Sequence, residues 1–321
     1  MALQVYPLIF EPILKEKIWG GTKLKTVFNK NSISQTTGES WELSTVEGDV
    51  SIIKNGEYSG KRLTDLIEAF PREILGLKNH EKFGASFPLL FKFIDATDDL
   101  SIQVHPNDEL AMERHNSYGK TEMWYVMQAD AGARIIAGFK EDSSREAYLE
   151  HLNSKTLLSI LKEVPVKKGD IFFLETGTVH AIGAGIVIAE IQQTSDITYR
   201  VYDWDRTGAD GKPRELHVDL ALDAINYKAS DIKKTYGKTE NESNLAVACP
   251  YFTTSYLPLD GEITVSPENG SFRVYMCMEG NFEILFEESS WAFQKGDTAL
   301  LPAAMKNFRL AGRAVLLEIY V

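Results

Sequence analysis

Cysteine is scarce in this chain: two residues, Cys249 and Cys277, occur among 321, and neither lies in a Cys-x-x-Cys pair. That count excludes a disulfide framework and a thiolate zinc site. Long apolar runs are missing too. No window approaches the roughly 18 residues of a membrane span. The N-terminal stretch from Met1 to Trp19 is interrupted by Pro7, Glu11 and Pro12 and lacks a basic start, so it does not read as a signal peptide. Positive charge is outweighed, with 34 Lys and Arg against 46 Asp and Glu and a net charge of −12. Such a surface repels phosphate backbones and argues against nucleic acid as a partner. An anionic substrate must then be gripped by a local cluster of Lys or Arg. The expectation is a cytoplasmic globular protein, and its length allows two modest domains.

What is present is mostly β. Short apolar runs separated by Gly, Asp, Asn and Pro, with period-two alternation, are the pattern of a barrel or sandwich. Three stretches read as helical. Leu63 to Phe70 is stopped by Pro71. Glu215 to Asn226 offers Leu216, Leu220 and Ile225 as a buried stripe. Ser143 to Val164 reads as a helical pair, opened by a Ser143–Glu146 capping box and broken at Asn153-Ser154.

An internal repeat organises the chain. Lys168-Gly169-Asp170 and the apolar run after it recur at Lys295-Gly296-Asp297, an offset of 127 residues. Upstream, the segment from Glu122 resembles the segment from Arg273, at an offset of 151. The 24-residue difference is close to the length of the helical stretch. The reading is therefore a tandem of related jelly-roll barrels: residues 1–235 with a helical insertion around 143–164, and residues 236–321 as a second β domain. Glu122 and His180 of the first copy fall opposite Arg273 and Asn307 of the second, which are not replacement ligands for a divalent cation. Chemistry is expected in the first barrel.

Ser101, Gln103 and His105 share one face of an alternating strand, and Lys120, Glu122 and Trp124 share a face of the next. His180 follows in a Gly-flanked strand end. Two imidazoles, a carboxylate and an amide oxygen suit Zn²⁺ with open positions for substrate, and equally suit Fe²⁺, Mn²⁺ or Co²⁺. The other histidines, His80, His115, His151 and His217, read as structural or exposed.

At these residues the sequence resembles the class I mannose-6-phosphate isomerases, in their shorter bacterial form. The resemblance rests on Ser101-Ile-Gln-Val-His-Pro-Asn-Asp108, Lys120-x-Glu122, Gly177-Thr-Val-His180-Ala-Ile and Ser195-Asp-Ile-Thr-Tyr-Arg200, with Trp19-Gly-Gly and Gly38-Glu-Ser-Trp41-Glu upstream. It implies a tandem cupin with one Zn²⁺ on Gln103, His105, Glu122 and His180, and reversible interconversion of mannose 6-phosphate and fructose 6-phosphate through an enediol. The implied partner is a small sugar phosphate, with neither nucleic acid nor membrane, and the implied state is a monomer or weak homo-oligomer. Longer members carry a Lys shortly after the motif arginine. Here Arg206 is expected in that role, gripping phosphate with Ser101, unless it pairs instead with Asp203 or Asp205.

Glu190 through Arg200 have matching parity, so an uninterrupted strand would turn both into the cavity. Arg200 is expected to stabilise the enediolate and Lys120 to hold a hydroxyl or shuttle a proton. Glu190 is a candidate general base, and Glu39 resembles a family active-site acid. Of Trp19, Trp41 and Trp124, only Trp19 is placed near substrate. Two rivals stand: an iron dioxygenase cupin, which commonly uses a His-x-His pair where this chain has Gln103, and a non-catalytic sugar-phosphate binder, which has less need of the metal set.

Overall fold

The computed structural model describes residues 3–208 and 211–321. Among these, the chain is mainly β, as expected, and every pairing between its strands is antiparallel. A seven-stranded sheet runs in the order Ile13–Gly21, Thr37–Leu43, Leu89–Ala96, Ile186–Gln193, Glu122–Ala129, Ile171–Leu174, Lys233–Lys234. A five-stranded sheet faces it, in the order Tyr199–Tyr202, Ile102–Val104, His180–Ile182, Arg134–Phe139, Leu161–Pro165. Trp124, Val126 and Ile188 of the larger sheet and Ile135, Ala137 and Ile182 of the smaller share one apolar core between them.

A third sheet, built from residues 244–320, covers the opposite face of the large sheet. Met123, Tyr125, Phe91 and Phe93 pack there against Val274, Met276, Leu317 and Ile319. The large sheet is thus buried on both sides. Its strands Leu89–Ala96 and Ile186–Gln193 are buried at every position, which is why they read as nearly continuous apolar runs and not as alternation. The third sheet's far face carries a core of its own around Leu257, Tyr275, Cys277 and Leu316.

The repeat has a structural counterpart. Glu122 pairs with Leu174, and Arg273 pairs with Leu301 in the same relation. The two Gly-Asp turns also match. Gly169 and Gly296 both sit at positive φ, 88° and 90°, where an L side chain is strained. Asp170 and Asp297 each accept a hydrogen bond from the backbone three residues earlier, at 3.1 and 2.8 Å.

The helical expectations need correction. Arg145–Asn153 is a helix, but its cap is Ser144, whose Oγ accepts from Ala147 N. The second half of the predicted pair is a single 3-10 turn, Leu157–Ser159, followed by the strand Leu161–Pro165. That strand pairs with Arg134–Phe139, and the open sheet edge outweighs local helix propensity. The helix expected from Glu215 begins only at Val218 and ends at Ala224; Leu216 is exposed and only Ile225 of the predicted stripe is fully buried. Leu63–Ala69 is helical, and Pro71 opens a further helix in the first-turn position that tolerates it.

Candidate active site

Register places polar side chains on the inner face of the large sheet. Trp41, Lys92, Glu190 and Trp124 are partners on four neighbouring strands, and in the next row Gln192 lies opposite Glu122. On the facing sheet His180, Gln103 and Arg200 are partners in turn. Directly opposed residues project to the same face, so two rows of functional groups look at each other across the barrel.

The imidazoles are oriented by the backbone. His105 Nδ1 donates to Ile197 O at 2.9 Å and His180 Nδ1 to Thr178 O at 2.8 Å. Each Nε2 is left as a lone pair, and both point at Glu122, at 3.6 and 3.3 Å from its carboxylate oxygens. Glu122 is completely buried, and neither of its oxygens has a hydrogen-bond donor. Gln103 Nε2 lies 3.2 Å from His180 Nε2, and turning the amide over brings its oxygen to that point. The candidate ligand atoms of His105, Glu122 and His180 all fall within 4.8 Å of one another.

The electrostatics describe a site built for an added cation. Burial, reinforced by Glu190, pushes the Glu122 carboxyl up to about 8 against the pull of Lys120 and Lys92. Burial takes His180 down to about 4 and, with Lys120 and His180 beside it, holds His105 well below its ordinary value. Converging, desolvated donor atoms whose carboxylate is costly to ionise alone fit a divalent metal ion, whose charge would take the place of a proton.

Lys120 Nζ stands 3.4 Å from Glu122 Oε2 and is almost wholly buried. Lys92 Nζ lies 3.0 Å from Glu190 Oε2, close enough for a strong ion pair though not aligned as a hydrogen bond. Glu190 Oε1 accepts from Trp124 Nε1 at 3.0 Å. Burial alone would raise Glu190, but Lys92, Lys120 and the Trp124 bond outweigh it and bring the carboxyl to about 2. Glu39 accepts from Trp41 Nε1 at 2.7 Å and is held low, against burial, by Lys92 and Lys17.

Glu190 and Arg200 do not share a regular strand. The strand ends at Gln193, and Arg200 lies on the facing sheet. It still turns inward, because its register partner is Gln103. Arg200 Nε is buried without an acceptor, while Nη1 donates to Glu215 O. Arg206 follows two consecutive non-glycine residues in the left-handed region, Trp204 and Asp205. It pairs with Asp203 and Asp98, and Arg214 Nε donates to Asp203 at 2.7 Å. The alternative pairing weighed for Arg206 is therefore present. Ser101 is buried beside the Gln103 strand. Trp19 packs in the barrel core with Ile94, Ala96 and Leu100.

Sequence reasoning missed Lys92. A signal existed: a lysine inside the run Leu89 to Ile94 has no water to face and requires a buried partner.

Residues 8–130 match the family described as the phosphomannose isomerase type I catalytic domain, and residues 241–321 match the mannose-6-phosphate isomerase cupin domain. Mannose-6-phosphate isomerase of Streptococcus mutans is 37% identical over 95% of each chain. The chain belongs to the mannose-6-phosphate isomerase family. Mannose-6-phosphate isomerase ManA of Bacillus subtilis is 38% identical over 96% of each chain. A crystal structure of the mannose 6-phosphate isomerase from Bacillus subtilis aligns with a TM-score of 0.91 at 35% identity, covering 99% of this chain and 100% of that one. The resemblance drawn from the motifs holds along the full length, and family membership makes this chain an aldose–ketose isomerase.

Proposed function

We propose that the chain interconverts mannose 6-phosphate and fructose 6-phosphate through an enediol, with a zinc ion held by Gln103, His105, Glu122 and His180. The observation that carries the metal reading is the buried, convergent set of His105, Glu122 and His180, in which His105 Nε2 and both Glu122 oxygens have no hydrogen-bond partner. A bound zinc would supply Lewis acidity toward a substrate oxygen. Residues 1–235 form the catalytic unit in this reading and residues 236–321 a β domain without ligands.

The chain's own groups take the remaining roles. Arg200 presents a permanent positive charge, with one donor unspent, to the negative charge that develops on the enediolate. Lys120 donates to a substrate oxygen. Glu190 takes the carbon-bound proton. Lys92 holds Glu190's proton affinity down, so this assignment requires the pair to loosen when substrate arrives. Glu39 orients substrate through its Trp41-fixed carboxylate. Arg206 and Ser101 receive the phosphate, which would compete with Asp203 for the guanidinium, and Trp19 closes the barrel beneath the sugar. In this reading the enzyme is cytoplasmic and a monomer or weak homo-oligomer; no helix among the described residues is long and apolar enough to cross a membrane.

The test is formation of fructose 6-phosphate from mannose 6-phosphate, before and after chelation and with zinc returned. Activity that disappears with chelator and reappears with zinc supports the proposal. Full activity in metal-free protein overturns the metal assignment, and no turnover with zinc bound overturns the substrate.

A further inference from the structure

The segment that carries Lys120 is irregular until the strand begins at Glu122, yet three successive backbone N–H groups are tied down. Gly119 N donates to Asp108 Oδ1 at 2.8 Å, Lys120 N to Pro106 O at 3.4 Å, and Thr121 N to Gln193 Oε1 at 2.9 Å. Gln193 Nε2 also donates to Asp108 Oδ1, at 2.9 Å, so the two clamps brace each other. Space is tight as well: a Cβ on Gly119 would come within 2.7 Å of Asp108 N.

The other oxygen of Asp108 reaches out of the first barrel. Tyr251 OH donates to Asp108 Oδ2 at 2.7 Å across 143 residues of sequence. Tyr251 sits in the turn between the strands Asn244–Ala248 and Thr253–Val265 of the third sheet, and Lys82 Nζ fastens that turn through Pro250 O at 3.1 Å. Among the described residues, Lys120's ammonium has one ionic partner within 4 Å, Glu122, so its position depends on the backbone that bears it.

We infer that Tyr251 and Asp108 are positioning residues for Lys120, through which the ligand-free third-sheet domain takes part in catalysis. The inference rests on the role proposed above for Lys120. A packing bond would affect stability alone; a positioning bond must affect turnover through Lys120, because misplacing a reacting group by about 1 Å can cost roughly a hundredfold.

The experiment is steady-state kinetics of the zinc-loaded full chain for Tyr251→Phe, Asp108→Ala and Asp108→Asn, with Tyr251→Phe repeated in a Lys120→Ala background. Tyr251→Phe is expected to lower kcat by about tenfold at unchanged KM and zinc content, with a larger loss in Asp108→Ala. Asp108→Asn keeps the acceptor for Gly119 and offers an N–H to the Tyr251 oxygen, so it should retain most of the rate. In the Lys120→Ala background the Tyr251→Phe effect should disappear, as coupled residues require. An undiminished effect there, or an unchanged kcat in Tyr251→Phe alone, overturns the inference and leaves the role of Lys120 standing. Wild-type turnover in Lys120→Ala would overturn both. Where Lys120→Ala is too slow to read, the split between kcat and KM in Tyr251→Phe decides.

Discussion

Lys92 and Glu190 face each other on adjacent strands of the seven-stranded sheet, 3.0 Å apart and each only 4% exposed. Each makes the other's charge tolerable. Burial would lower Lys92, but Glu190 and Glu39 raise it above its ordinary value. Removing one partner strands a charge in a dry interior, which typically costs about 3–5 kcal/mol. Lys92→Met should therefore lower the thermal midpoint markedly, and adding Glu190→Leu should recover most of the loss. A double variant no more stable than Lys92→Met would show that the pair is not the source.

The same pair predicts a pH dependence of stability. Glu190 lies below the ordinary carboxylate value, at about 2 against 4.5. The unfolded chain therefore binds its proton first as pH falls. The resulting stabilisation is fully present above about pH 4.5 and is lost as pH falls toward about 2. In urea titrations across that window, wild type should lose its advantage over Glu190→Gln. A pH-independent difference between the two would contradict this account.

Metal removal should destabilise as well as inactivate. A cation on His105, Glu122 and His180 would bind the folded chain alone, and at a thousandfold excess over its dissociation constant such a ligand contributes about 4 kcal/mol. Chelation should lower the melting temperature of the wild type and leave that of Glu122→Ala nearly unmoved. Equal shifts in both proteins would place the chelator's effect elsewhere.

Arg200→Ala should fold and hold zinc but lose turnover by about a hundredfold or more, the scale of a lost oxyanion donor. Its backbone N–H and C=O are fixed by His217, at 3.2 and 2.7 Å, so truncating the side chain leaves the strand in place. Circular dichroism and metal content should match wild type. Turnover within a few fold of wild type would remove Arg200 from the mechanism.

Much of the site was legible because strand periodicity is local. Ser101, Gln103 and His105 alternate with buried Ile102 and Val104, and the sheet keeps that alternation. The Gly-Asp turns announced the repeat, since a positive φ demands glycine wherever the turn recurs. The Glu190 to Arg200 parity argument failed in its premise. The chain leaves the large sheet after Gln193, where Gln192 Nε2 donates to the carbonyls of Gln193 and Ser195, and crosses to the facing sheet. Arg200 faces inward through its pairing with Gln103, a relation with no trace in spacing.

The sequence by itself determined which residues share a face along each strand, where the turns fall, and the chemical types that make up the candidate metal set and the cations beside it. Those depend on period-two geometry, glycine's conformational freedom and the identity of side chains. Only the tertiary structure decided that Lys92 neutralises Glu190 and that Tyr251 reaches Asp108 across 143 residues. These are contacts between strands and turns far apart in the chain. Such partners are selected by burial, which leaves a charged or polar group no alternative to the neighbour that folding supplies.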